Sequence, residues 1–314
     1  MISRRIIRIK VMQSLYAFHS SPDQTINLAE KELFHSINKS YDLYHWLLQL
    51  LVDVHDHASE LIELKKKKNF PTPEDLNPNL RFRQNTIIHK VNENKPLQDY
   101  VNKQKLSWHD HPELIRKLFN QLVESEEYIR YMTNENNTIN DDRNIIDYFY
   151  ANIVAETDDI HQLLEEKSIY WNDDVEFVLS MIIKTLSKFK MSTPDFKSLM
   201  PLFKDEDDLN FTKSLFRKTV LSSEEHREII KTHLRNWDLD RVAFIDVLIM
   251  EMAISEFLYF PSIPTKVSMN EYIDLAKYYS TSKSQTFING ILDKIHTSLK
   301  DEGKIVKTGR GLIG

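Results

Sequence analysis

The chain has 314 residues, with 41 Lys and Arg against 47 Asp and Glu and a net charge of −6, a balance that excludes a nucleic-acid binder working through its whole surface. It has no cysteine, which excludes disulfides, zinc–thiolate sites and thiol nucleophiles. Five glycines leave few positions suited to the turns of sheets, where average usage is about 7%. No apolar run approaches the roughly 20 residues of a membrane helix, and the opening Met-Ile-Ser-Arg-Arg lacks the apolar segment of a signal peptide. The expectation is an all-α cytoplasmic protein.

Residues 2–18 carry a helical stripe of Ile7, Val11, Leu15 and Phe18. Arg4, Arg5 and Arg8 span about 100° of the wheel and overlap that stripe. Three guanidiniums cannot all be buried unpaired at tolerable cost. Either the first two turns project past the core as an arginine cluster, or carboxylates meet them. Residues 25–68 keep apolar side chains, Leu33, Ile37, Tyr44, Leu47 and Leu51 among them, at mostly three- and four-residue steps. That spacing predicts two helices broken near Ser40, with Lys65 to Lys68 suiting the carbonyl end of the second. Pro71, Pro73 and Pro78 mark a linker. Further helices are expected at 81–106, 112–132, 143–166 and 173–190. After a break at 194–201 come 208–220 and 223–236, the latter opened by Ser222 with Glu225 three residues on.

Charge segregates within this middle part. Residues 61–105 hold ten Lys or Arg against five Asp or Glu, whereas 133–176 hold two against twelve. The two blocks either neutralise one another within one domain or leave an acidic face for a basic partner protein.

From 240 to 260 the chain is apolar on every side of a helix, only Asp240, Arg241, Asp246, Glu251 and Glu256 being charged, so other elements must surround it. Pro261 and Pro264 end it. Ser268 with Glu271 has the spacing of a capping box and predicts a helix over 269–279; Ser282 with Gln285 repeats the signal. The helix that follows carries Ile288, Ile291, Leu292, Ile295 and Leu299. Gly290 interrupts it at a cost of roughly 1 kcal/mol, which suggests either tight helix packing or another close approach. Phe287 lies at the edge of the stripe, as a boundary core residue or as an exposed aromatic platform. Beyond Leu299 the lysines and glycines predict a frayed basic tail.

Several chemistries find no support. There is no glycine-rich phosphate loop. His55-Asp56-His57 and His109-Asp110-His111 look like ligand pairs, but residues two apart on a helix point away from each other. One Glu-x-x-His, Glu32 to His35, falls short of a di-metal bundle. Nothing resembles a nucleophile with its base, so no metal, no cofactor and no enzyme is expected; a binding or scaffolding protein is the better class.

An ordered set of segments carries a resemblance: Trp237 to Arg241, Ile254 to Tyr259, Ile263-Pro264, Asn270 to Lys277 and Phe287 to Asp293, with Arg4-Arg5, Arg8 and Gln13 to Tyr16 at the other end. Together they resemble the NusB transcription antitermination family. The resemblance implies an all-α, NusB-like helical bundle of two subdomains with extra helices inserted after the first helix region. The divisions expected are 1–35, an arginine-rich helix and the start of the first subdomain; 36–206, an insertion; 207–300, the NusB-like subdomain; and 301–314, a flexible basic tail.

The same resemblance implies binding of single-stranded boxA-type RNA together with a ribosomal small-subunit protein, NusE. It also implies entry into an RNA polymerase complex that suppresses termination, notably in ribosomal RNA transcription. Carried over by position, Arg4, Arg5, Arg8 and Phe287 are the RNA-binding residues and Tyr16 faces the partner protein. Two departures stand out. Glu251 occupies the place of the family's typical arginine, and 36–206 lack a counterpart in short members. Two other readings are the helical RNA-binding domain of ribosomal RNA cytosine methyltransferases, whose cysteine nucleophile this chain lacks, and a protein-only helical adaptor.

Overall fold

The structure, a computed structural model, describes residues 1–21, 23–136, 138–189, 199–234 and 238–312. Trp237, the first residue of the family-like segments, and most of the expected break at 194–201 lie outside them. The described residues form helices and no strand. In chain order these are α1 (Arg4–Ser20), α2 (Ile26–Lys66), α3 (Pro73–Leu76), α4 (Thr86–Asn92), α5 (Lys95–Gln104), α6 (Pro112–Glu124), α7 (Glu126–Thr133) and α8 (Ile139–Tyr148). A π-helical turn (Phe149–Val154) precedes α9 (Asp158–Lys167) and α10 (Val175–Leu186). Then come α11 (Glu206–Leu221), α12 (Ser223–His233), a 3₁₀ turn (Leu239–Arg241), α13 (Phe244–Tyr259), α14 (Thr265–Tyr279), α15 (Ser284–Asp301) and a last 3₁₀ turn (Gly309–Leu312).

Two compact units divide the chain: Met1 with 38–202, and 2–37 with 203–314. In the second unit α13 is the centre, packed by α1, α11, α12, α14 and α15. Every residue from Val247 to Phe257 is buried, as an all-round apolar helix requires. The first unit holds the rest of α2 with α3 to α10. Its core includes Trp46 and Trp108, stacked at 4.0 Å, with Trp108 Nε1 donating to the Trp46 carbonyl at 2.8 Å.

Several expected boundaries move, each for a local reason. No break occurs at Ser40: α2 is one helix of 41 residues. The buried Ser40 hydroxyl donates to the Asp174 carboxylate, an alternative to competing with its own backbone. The helix expected over 81–106 divides where the Asn94 side chain caps α5 by accepting from Leu97 N–H. The one over 112–132 divides where Ser125 caps α7 by accepting from Tyr128 N–H. Ser268 and Ser282 are not caps. α14 begins at Thr265 behind Pro264, and α15 begins at Ser284 behind Lys283 with no side-chain cap. Ser222 likewise makes no side-chain cap bond.

The expected free tail is folded back. Lys307 Nζ donates to the carbonyls of Phe260 at 2.9 Å and Glu256 at 3.3 Å, and Thr308 N–H donates to the Pro261 carbonyl at 2.9 Å. These bonds satisfy the carbonyl end of α13, which would otherwise leave acceptors unpaired. Gly311 is buried there, and a Cβ at that position would lie 2.0 Å from the Pro261 oxygen.

Candidate nucleic-acid interface

Carboxylates meet all three arginines of α1, to very different degrees. Arg8 is the deepest, its side chain 3% exposed against a fully buried Glu256. Its Nε and Nη2 donate to the two Glu256 oxygens at 2.9 and 2.7 Å, and Nη1 reaches Glu271 at 3.3 Å. Such paired donation is the strongest form of the bond. Ser268 Oγ and Tyr272 OH donate to the same carboxylate at 2.6 and 2.9 Å, so Glu256 accepts four bonds. Burial, the largest single influence, would lower the Arg8 pKa; the Glu256 charge and hydrogen bond, with Tyr272 and Glu271, together outweigh it and hold the guanidinium above its ordinary value. Burial and the adjacent Glu256 raise Tyr272 well above the usual phenol range. Arg8 is therefore a core cation joining α1 to α13 and α14.

Arg4 and Arg5 sit nearer water. Arg4 Nε donates to Asp208 at 2.8 Å, and its guanidinium stands 5.1 Å from the Phe211 ring centroid. The Arg5 side chain is 43% exposed and 3.3 Å from an equally open Asp274. Its guanidinium lies 5.8 Å from the centre of the Tyr278 ring, and Lys277 Nζ lies 5.7 Å from the same ring. Tyr278 is 68% exposed. The last turn of α14 thus presents an exposed aromatic ring with two cations close to it. Sequence reasoning passed over Tyr278 and gave Lys277 no role. Their signal was the helical phase: with Tyr272, Leu275 and Ala276 buried, Lys277 falls nearly opposite the inward side at 100° per residue.

Phe287 is half-buried in the first turn of α15. A buried carboxylate sets that turn: Asp246, on α13, accepts from Ser280 Oγ and from Ser284 Oγ, the latter at 2.7 Å. Gly290, three residues on, does not mark tight helix packing. It is exposed, and a Cβ there would meet nothing within 4 Å.

Tyr16 lies elsewhere on α1, 49% exposed, with its ring 5.5 Å from Phe244, itself 37% exposed. His19 packs edge-on against Phe244 at 5.8 Å. Glu251 has a basic partner on a different helix. Arg227 Nε, from α12, donates to it at 2.6 Å and Ser223 Oγ at 3.2 Å. Burial raises the Glu251 pKa, and the Arg227 and Ser223 bonds oppose that rise. Among the described residues no group of three or more His, Asp or Glu could hold a metal ion, and no helix is long and apolar enough to cross a membrane.

A model of the NusB family matches residues 180–297. A protein of Salinibacter ruber titled transcription antitermination protein NusB is 47% identical over 115 residues, which cover 37% of this chain and 72% of that protein. The like-titled protein of Natranaerobius thermophilus is 40% identical over 99 residues, 30% of this chain and 71% of that one. For Chloroherpeton thalassium the identity is 50% over 84 residues, covering 27% of this chain and 40% of the relative.

Proposed function

This chain belongs to the NusB family, and on that premise we propose that it is a transcription antitermination factor. It binds boxA-type single-stranded RNA together with the ribosomal protein NusE and enters an RNA polymerase complex that suppresses termination, notably in ribosomal RNA transcription. The observation that carries the RNA part is the exposed Tyr278 ring flanked by Arg5 and Lys277. Cations that track phosphates beside an aromatic face on which a base stacks are the common parts of single-strand recognition.

The arginines divide the labour. Arg5 contacts phosphate directly and Arg4 assists from its half-open position, whereas Arg8 holds the end of α1 in place through Glu256. Phe287, half-buried, supplies a second stacking surface once its first turn is set by Asp246. Tyr16 and Phe244 form the aromatic patch offered to NusE, of the kind enriched where proteins meet.

Fluorescence anisotropy of a labelled boxA-like oligonucleotide, with and without NusE, tests the reading. Arg5→Ala with Lys277→Ala should weaken binding and flatten log K against log salt by about 1.4, at about 0.7 per lost phosphate contact. An unchanged slope would remove this face from the interface.

A further inference from the structure

The end of α2 carries a second cationic aromatic surface, in the unit formed by Met1 and 38–202. Lys65 and Lys66 end the helix, and the chain then turns through Lys67, Lys68, Asn69 and Phe70. Phe70 is 92% exposed, more than any other large apolar side chain among the described residues. The turn holding it out is well bonded. Lys68 Nζ donates to Asp75 at 3.0 Å, and Asp75 and Thr72 cap one another across the first turn of α3. Pro71 follows directly, which keeps Phe70 out of the helical conformation.

The cations of this stretch and of Arg83 are unevenly matched. Lys66 and Arg83 share Glu63, and Lys68 takes Asp75. Lys65 and Lys67 are exposed and have no ion-pair partner among the described residues. Lys67 and Arg83 also line an open groove of about 380 Å³ together with Ser59, Glu60, Glu63 and Leu64. The attraction of lysines to the carbonyl end of a helix accounts for Lys65 to Lys68. It does not account for a fully extruded phenyl ring beside them.

We infer that Lys65, Lys67 and Phe70 form a second contact for single-stranded RNA, with Phe70 stacking on a base and the two lysines on flanking phosphates. The inference rests on the RNA-binding function proposed above and extends it to the helices that short family members lack. A protein partner fits less well, because lysine is depleted in the cores of protein interfaces. A membrane surface fits less well too. Binding there requires a broad apolar helix face, and besides Phe70 this stretch exposes only Leu64 and Leu76 as large apolar side chains.

The test uses the full chain, a labelled oligouridine RNA of about 30 nucleotides and anisotropy titrations over a range of salt. Phe70→Ala should weaken binding about five-fold or more, the lower end for loss of one stacked base. Phe70→Trp should restore it and Phe70→Leu should not. Lys65→Ala with Lys67→Ala should flatten the salt dependence by about 1.4. If these variants bind like the unaltered chain while Arg5→Ala with Lys277→Ala loses affinity, the inference is overturned and the α1 reading stands. The reverse pattern supports the inference and removes the α1 face. Should the variants change only binding to vesicles of mixed anionic and zwitterionic phospholipid, the surface is a membrane contact and the RNA assignment is wrong.

Discussion

Replacing Arg8 with alanine separates a cation that builds the fold from those proposed to meet RNA. The substitution leaves Glu256, a fully buried carboxylate, without its bidentate partner. Stranding one member of a buried pair costs about 3 to 5 kcal/mol. Ser268 and Tyr272 continue to donate to the carboxylate, which places the expected loss near the lower end. For a body of this size each kcal/mol lowers the melting midpoint by about 2 to 4 °C, so Arg8→Ala should melt about 6 °C lower or more by calorimetry. Arg5→Ala should stay within about 0.5 kcal/mol of the unaltered protein, as exposed substitutions usually do, and yet bind RNA less well. Arg8→Met with Glu256→Met should recover part of the lost stability, since it removes the stranded charge but leaves the Ser268 and Tyr272 hydroxyls without their acceptor. An Arg8→Ala protein within 1 kcal/mol of its parent would refute the assignment of Arg8 to the core.

Phe287→Ala should cost about 1 to 3 kcal/mol of RNA affinity if the ring stacks on a base; unchanged affinity by anisotropy would exclude that role. Gly290→Ala should raise stability by up to about 1 kcal/mol, because the added methyl meets open space, and a fall in RNA affinity alongside would put RNA next to that turn. Tyr16→Asp should weaken association with NusE by about 2 kcal/mol or more if the patch is desolvated on binding, as calorimetric titration would show. His226 is fully buried, and burial lowers its pKa from 6.5 to about 4. Between those values the unfolded chain binds the extra proton, so stability is complete above about pH 6.5 and falls as the pH drops toward 4. At about 1.4 kcal/mol per pKa unit the loss is about 3 kcal/mol, and His226→Gln should flatten that part of the pH–melting curve.

What could be foreseen from the residues depended on how local the cause was. The all-round apolarity of α13 and the stripe of Ile288, Ile291, Leu292, Ile295 and Leu299 in α15 follow from periodicity, and those positions are buried. The arginines of α1 were legible as a problem, three charges over an apolar stripe. Their solution was not legible, because Glu256 lies 248 residues from Arg8 and no local pattern ties them. Ser268 misled for a related reason. Its spacing to Glu271 has the form of a cap, whereas its hydroxyl serves the buried Glu256 carboxylate. Tyr278 escaped notice because an exposed aromatic is ordinary until two cations are found beside it.

The chain passes from one unit to the other between Ile37 and Asn38 and again between Leu202 and Phe203; the first of these crossings lies inside the unbroken α2, and this governs how the chain can be cut there. A connecting loop can be cut with little harm to the bodies it joins. Here a cut would leave four carbonyls at the end of one piece and four amide groups at the start of the other without helical partners. Fragments ending at that point should therefore fray inward from the cut, and a capping residue added there should recover more of their helicity than the same residue placed at the natural end of α2.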